Sequence, residues 1–381
     1  MRKNGYPAAR AVGETVEARL AALAAKARAR GVTEGELAPL AERDDIATLV
    51  NAAFWASLMR EEGREPRVSL AFLPPERAGY PMVFERSLPL VPRDLSRLAP
   101  AVERPGIHLG VWPDGGGELR VWGTTRAVPT LTCVLEVMEP GLLVIKYRRG
   151  QEFDKFGTVA VLQGDLVKVI DQQGASLPDC PSLLESLIDF GAPSPAEERE
   201  NVLVQLAVSM RAHRRGGSLI VVPSGSTAWS GSTAHTSAYA VRTYDKFAKL
   251  LQSDRENRAR PAWREAFNSA VESIAGLTAV DGATVLDDRY RVLSFGVKLV
   301  RARNSEHVER VAMTEPIVGD RVRVVEPSLL GGTRHLSAAQ FVYDQRDALA
   351  LVASQDGRFT VFAWSPCEDM VHAHRVDALL M

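Results

Sequence analysis

The sequence has few cysteines and no long hydrophobic run, and both shortages limit what the protein can be. Cys133, Cys180 and Cys367 lie far apart, and no CxxC or Cys/His spacing typical of structural zinc is present. A few unpaired thiols are typical of a reducing compartment, so we expect a cytoplasmic protein. No stretch approaches about 18 apolar residues, and the N-terminus lacks the apolar segment of a signal peptide. We therefore expect no membrane partner.

The chain also has almost no net charge. Its 381 residues include 46 Lys and Arg against 47 Asp and Glu, which gives a formal net charge of −1. No basic surplus favours nucleic acid as a partner, although a local basic patch could still bind it. The hydrophobic content of 46% is ordinary for a globular protein, and the length suits two or three domains.

The first half predicts two helices followed by a mainly antiparallel sheet. Apolar residues at helical spacing cover residues 15–31, and Asp44–Asp45 can cap a second helix. Trp112 and Trp122 flank a DGGG hairpin signal and could border a ligand, but packing across the hairpin is the simpler interpretation. The β-rich runs are 67–73, 108–123, 130–138, 141–148, 158–162 and 166–170.

Prolines and glycines around residues 171–195 predict a domain boundary near residue 190. Residues 1–190 would form an α+β domain with a regulatory or sensory role, and residues 191–381 an α/β domain with a mixed sheet flanked by helices. We thus expect a multidomain α/β (α+β) protein. In the second domain we predict a helix capped by Ser194, a strand at 218–223, helices at 239–251 and 259–277, strands within 278–300 and 347–364, and a helix after His335.

Two motifs of the second half suggest chemistry without supporting it. The Ser/Thr/Gly loop at 224–237 contains no GxSxG motif and has no evident His and Asp partners, so a nucleophilic serine is not favoured. His372 and His374 share a face only on a strand, and no third metal ligand is evident. We expect them to have a surface or interface role.

Two tracts are more informative together than apart. Asp281 and Gly282 open a β-rich run, where a carboxylate beside a glycine can hold a divalent cation or accept a hydroxyl proton; a plain turn is the alternative. In GGTRHLSA, Gly332 lets backbone N–H groups face an anion, while Thr333, Arg334 and His335 supply a hydroxyl, a bidentate fork and an imidazole. The alternative here is a glycine turn that caps a helix, with Arg334 in a surface ion pair.

The order of the motifs resembles the diadenylate cyclase domain, the N-terminal domain of the DNA-integrity-scanning protein family. The order is GGSLIVV, then DGA, then GTRH with a short helix, then a strand that ends before a turn at Ser354–Asp356. The resemblance covers about residues 196–365 and leaves the N-terminal half unexplained. Relatives of this fold also occur as nucleotide sensors attached to other modules.

The resemblance implies a reaction in which two ATP molecules condense to cyclic di-AMP and pyrophosphate. Asp281 would bind Mg²⁺ or Mn²⁺ and activate the ribose 3′-hydroxyl, and Arg334 and His335 would act with it in catalysis. ATP or the cyclic dinucleotide would also contact Gly282, Ala283, Gly332, Thr333 and Ser354. Each domain would supply half a site, so we expect a homo-oligomer with face-to-face domains.

Three departures from the family pattern leave two classes of function open. Leu336 stands where a second arginine is expected. The absence of that arginine could cost about 2–4 kcal/mol of transition-state stabilisation. Gln355 replaces a carboxylate, and the segment 301–330 is long enough for an extra hairpin. An arginine of this segment could replace the missing arginine, although solvation at the surface is the simpler interpretation. The arginines of the segment are Arg301, Arg303, Arg310, Arg321 and Arg323. The domain is either a divergent cyclase or a degenerate one that senses a nucleotide, unless the motif order is a coincidence.

Overall fold

A computed structural model describes residues 5–149, 156–171, 197–234, 239–253 and 260–381. The chain divides into two compact units, Met1–Ile170 and Asp171–Met381, and each contains one mixed sheet. The predicted multidomain α/β architecture is confirmed. The predicted boundary near residue 190 and the Ser194 cap lie outside the described residues. None of the helices in the described ranges has the length and apolar content that crossing a membrane requires.

The first unit is an eight-stranded sheet with three described helices. β1 and β3 are parallel neighbours, and the other adjacent strands are antiparallel, in the order β2-β4-β3-β1-β5-β6-β7-β8. The helices are α1 (Ala8–Ala29), α2 (Arg43–Ser57) and α3 (Pro92–Val102). The strands are β1 (Ser69–Phe72), β2 (Met82–Pro89), β3 (His108–Pro113), β4 (Leu119–Thr125), β5 (Cys133–Glu139), β6 (Leu142–Arg148), β7 (Phe156–Gln163) and β8 (Leu166–Val169).

Local chemistry explains where these elements differ from the prediction. Helix α2 begins with a capping box between Glu42 and Asp45, three residues apart, so of the predicted pair Asp44–Asp45 only Asp45 takes part in the cap. The two tryptophans pack against different partners and not against each other. Trp122 lies over Gly110, where a Cβ would come within 2.0 Å of its ring, and Trp112 packs 4.8 Å from Phe72, measured between ring centroids.

The second unit is a nine-stranded sheet with helices on both faces. Its order is β10-β12-β11-β9-β15-β16-β17-β13-β14, with β9–β11 and β13–β17 parallel. The described helices are α4 (Glu197–Ala212), α5 (Lys246–Leu251), α6 (Pro261–Thr278) and α7 (Thr333–Asp344). The strands are β9 (Gly217–Val222), β10 (Tyr239–Tyr244), β11 (Ala283–Asp287), β12 (Val292–Val297), β13 (Val311–Thr314), β14 (Arg323–Val325), β15 (Leu349–Ala353), β16 (Phe359–Ser365) and β17 (Met370–Arg375).

Strand β9 is the centre of this unit because it is buried on both faces. Leu219 and Val221 enter a core with α4 and α6, while Ile220 and Val222 enter a second core with α7. That double burial explains its continuous apolar run. The predicted helix at 239–251 is wrong in its first half, which forms strand β10. The predicted extra hairpin within 301–330 is confirmed by the antiparallel pair β13–β14.

Candidate functional site

The ends of three neighbouring central strands lie side by side in the second sheet, and we call this place the sheet edge. Ser218 of β9 pairs in parallel with Ala283 of β11, and Gly217 pairs antiparallel with Ala353 of β15. The chain therefore enters β9 and β11, and leaves β15, at the same edge. Residues far apart in sequence are brought together there: Gly216, Asp281, Gly282, Ser354 and Gln355.

Arg334 reaches this edge from the first turn of helix α7. Its Nη1 atom lies 3.1 Å from the position that a Cβ on Gly216 would occupy. Gly216 has a φ of +70°, so both its backbone and its missing side chain favour glycine at this position. Arg334 is half-buried, and no carboxylate of the described ranges forms an ion pair with it. The guanidinium is thus available to an anion at the sheet edge.

Asp281 lies at the same edge and is paired with a lysine. Its carboxylate accepts a hydrogen bond from Nζ of Lys298, the residue that follows β12, and its side chain is 83% exposed. The Lys298 hydrogen bond and charge lower the pKa of Asp281, and the charge of Arg334 acts in the same direction. The structure therefore brings Asp281 and Arg334 together, with Lys298 neutralising the acid.

The two residues after Asp281 have structural reasons for their identity. Gly282 has a φ of +109°, and a Cβ there would lie 2.5 Å from the carbonyl carbon of Gly296 in β12. We predicted that this glycine admits a ligand; the observed close approach is that of a neighbouring strand. Ala283 is buried in the core beneath α7, at 1% exposure. No role of either residue in nucleotide binding follows from these contacts.

His335 is buried behind the sheet edge. Its ring lies under Gly331, where a Cβ would come within 2.6 Å of Nδ1, and its centroid is 6.1 Å from that of Phe362. Burial lowers the pKa of His335, and its Nε2 has no hydrogen-bond partner in the described structure. Gly332 and Thr333 are exposed at the start of α7. Thr333 and Arg334 are therefore better placed for a ligand than His335.

The turn after β15 and the first turn of α7 hold the residues that depart from the diadenylate cyclase pattern. Ser354 donates its N–H to the carbonyl of Arg358, and Asp356 pairs with the Arg358 side chain at 3.3 Å. Gln355 donates its amide N–H to the carbonyl of Arg215, at 3.4 Å. Leu336 remains 45% exposed on the first turn of α7. The carboxylate of this turn is thus engaged with an arginine.

The predicted divalent cation stays a prediction. Asp281 already holds an ammonium group, and no group of three or more His, Cys, Asp or Glu side chains in the described ranges is placed to bind a metal ion. Mg²⁺ is usually held by one or two carboxylates together with substrate phosphates. Because Lys298 supplies a positive charge at Asp281, we derive no step through a metal.

Other predicted polar residues lie away from this edge. The N–H of Ala302, between Arg301 and Arg303, donates to Asp344 at the C-terminal end of α7, and Arg323 pairs with Asp320 near edge strand β14. His372 and His374 lie on β17 and are buried, so the expected surface role is wrong. They are hydrogen-bonded to Glu368 at 2.9 Å and to Thr314 at 2.8 Å.

Sequence reasoning missed Lys298 at this edge and assigned no role to Gly216. Lys298 follows a strand and carries no motif, so only the pairing of β11 with β12 places it beside Asp281. Gly216 opens the GGSLIVV tract, and its sequence context contains a signal: two glycines directly before a buried strand favour close packing at its start.

Comparisons with known proteins add a result for the first unit. Residues 35–126 are similar to a family described as a probable sensor domain, DACNV. The matched segment runs from before α2 to the end of β4. No curated protein matches the sequence. A sensor-type domain is therefore indicated within the first unit, and nothing in these comparisons points to a cyclase domain in the second.

One solved structure is similar over part of the chain. It is described as a hypothetical membrane spanning protein from Bacillus cereus, and it is 16% identical to this sequence. The match covers 46% of this chain and 63% of that one, with a TM-score of 0.26. A similarity this low carries no argument about fold or function.

Proposed function

We propose that the chain is a signalling sensor whose second unit binds the phosphates of an adenine nucleotide where Gly216, Asp281 and Arg334 meet. The observation that carries the proposal is the state of Arg334. It is a half-buried guanidinium without an acidic partner in the described residues, and the nearby acid is already neutralised by Lys298. A guanidinium fork matches two phosphate oxygens, which makes phosphate the natural counter-ion.

The adenine nucleotide is proposed from the resemblance to diadenylate cyclases, whose motif order the second unit shares. Sensing is preferred to condensation because three positions work against turnover. Lys298 occupies the carboxylate that would hold the metal, while Leu336 and Gln355 remove one cation and one acid. The similarity of residues 35–126 to a probable sensor domain supports a sensory role for the first unit.

Charge neutralisation at this site would come from side chains and not from a divalent cation. Removal of Mg²⁺ and Mn²⁺ should therefore leave binding largely intact. A metal-dependent cyclase would instead lose productive binding, because the metal would link Asp281 to the phosphates. The face-to-face pairing implied by the resemblance remains a prediction, which sedimentation at several concentrations would test.

Calorimetry on the full chain tests the proposal. ATP and cyclic di-AMP should be titrated in EDTA and again with Mg²⁺ or Mn²⁺, with pyrophosphate release followed in parallel. Loss of a charge-assisted contact should weaken binding by about 10- to 100-fold in Arg334→Gln. Arg346→Gln is the matched control, because Arg346 stacks 3.8 Å from the Trp364 ring centre, just beyond the opposite end of α7.

The outcomes separate the two classes of function. Binding in EDTA without pyrophosphate release, lost in Arg334→Gln only, supports the sensor. Cyclic di-AMP production that disappears in Asp281→Asn would show that the protein is an enzyme and would overturn the sensor proposal. Failure of the wild-type protein to bind either nucleotide under any of these conditions would refute both.

A further inference from the structure

We propose that Arg215 is a second phosphate-binding residue of this site. The inference deepens the proposed function and rests on it. Arg215 directly precedes Gly216, against which the guanidinium of Arg334 lies. It is exposed, and no acidic side chain in the described ranges pairs with it. Two arginines for which the described residues provide no acidic partner therefore belong to the same sheet edge, Arg215 next to Gly216 in sequence and Arg334 against it in space.

The backbone of Arg215 is fixed on both sides. Its N–H donates to Nδ1 of His213 at 3.1 Å, and its carbonyl accepts the amide N–H of Gln355 at 3.4 Å. The flanking residues Arg214 and Gly216 have positive φ angles of 53° and 70°. The chain turns sharply here before it enters β9, so the start of the Arg215 side chain has a defined position at the sheet edge.

The charge distribution favours an anion with several phosphates. Two arginines at one sheet edge raise the local positive potential, and Asp281 does not offset it because Lys298 is its partner. Each guanidinium can engage one phosphate through two parallel hydrogen bonds. A diphosphate or triphosphate would engage both arginines, whereas a monophosphate would engage only one.

Gln355 acquires a role in this arrangement. Its amide donates to the Arg215 carbonyl, an interaction that a carboxylate at this position could not make, because a carboxylate only accepts hydrogen bonds. The replacement that removes an acid from the turn after β15 thus also anchors Arg215. The neutral amide of Gln355 also places no negative charge beside a bound phosphate.

The test compares ATP, AMP and inorganic tripolyphosphate by calorimetry on the full chain. Arg215→Gln should weaken ATP and tripolyphosphate binding by about tenfold or more, and should change AMP binding by less than about threefold. Arg310→Gln is the control, because this exposed arginine precedes β13, which three strands separate from β9. Neither variant should alter the melting temperature, since both side chains are exposed and no acidic side chain in the described part of the chain pairs with either of them.

The three probes distinguish failure of this inference from failure of the nucleotide proposal. Equal ATP affinity in Arg215→Gln and wild type overturns the role of Arg215 and leaves the proposed function standing. Tripolyphosphate binding that depends on Arg215, without ATP binding, supports Arg215 and refutes the nucleotide. A wild-type protein that binds neither ATP nor tripolyphosphate overturns both.

Discussion

Replacing Gly216 by alanine should damage the candidate site more than it damages the fold. The backbone there has a φ of +70°, which costs a residue with a Cβ about 1–2 kcal/mol. The new methyl would lie 3.1 Å from Nη1 of Arg334 and 3.3 Å from the carbonyl oxygen of Ala353. The Ala353 oxygen belongs to a paired strand, whereas Arg334 ends in a flexible chain. We therefore expect the guanidinium to move.

A second glycine separates backbone strain from displacement of Arg334. Gly319 also has a positive φ, +83°, but a Cβ there would meet no atom within 4 Å. Gly319→Ala and Gly216→Ala should both lower the melting temperature, by roughly 2–4 °C for each kcal/mol in a unit of this size. Calorimetry with ATP should show about tenfold or greater weakening in Gly216→Ala alone.

Two results would contradict this reasoning. Wild-type ATP affinity in Gly216→Ala would mean that Arg334 does not hold phosphate from its position against this glycine. Equal weakening in Gly319→Ala would mean that general destabilisation, and not the displaced guanidinium, reduces binding. A crystal structure of Gly216→Ala would show directly whether the Arg334 side chain has moved.

Three further perturbations test the packing of the two units. Gly282→Ala should destabilise the protein by more than about 2 kcal/mol in urea unfolding, because its Cβ would lie 2.5 Å from the backbone of Gly296; a wild-type midpoint would contradict this close approach. Burial lowers the pKa of His374 to about 3, so below pH about 6.5 the unfolded chain binds a proton that the native protein does not. The unfolding free energy should therefore fall as pH drops from about 6.5 towards 3, by up to about 1.4 kcal/mol per pH unit, and His374→Gln should flatten this slope. Burial raises the pKa of Cys133 to about 12, so iodoacetamide at pH 8 with peptide mapping should label the exposed Cys367 and leave Cys133 unlabelled until the protein unfolds.

The sequence allowed most of the buried elements to be predicted, because their apolar patterns are local. The apolar runs around Leu219–Val222 and in β15 and β16 depend only on neighbouring residues. Strand β2 and helix α3 were missed because prolines surround them, and β2 is an exposed edge strand with no apolar alternation. The segment 239–244 was assigned to a helix, yet it forms β10 because Tyr239 can pair with Phe295 of β12.

The candidate site was predictable only in part because it depends on strand order. The motifs identified Asp281 and Arg334, and their proximity follows from β9 lying between β11 and β15. Lys298 belongs to the same edge but matches no motif, and Gly216 opens the GGSLIVV tract without a predicted role of its own. The burial of His335 could not be predicted either, since it depends on the space left by Gly331 and on contact with Phe362.

The arrangement of charges explains why binding and turnover could separate in this protein. Condensation of two nucleotides needs an acid that is free to hold a metal and activate a hydroxyl, together with cations that stabilise the departing pyrophosphate. At this edge the guanidinium of Arg334 has no acidic partner among the described residues, while the carboxylate of Asp281 is neutralised by Lys298. Phosphate recognition needs only the guanidinium. In the proposed sensor, substitution of Lys298 would therefore free the acid without removing the arginine.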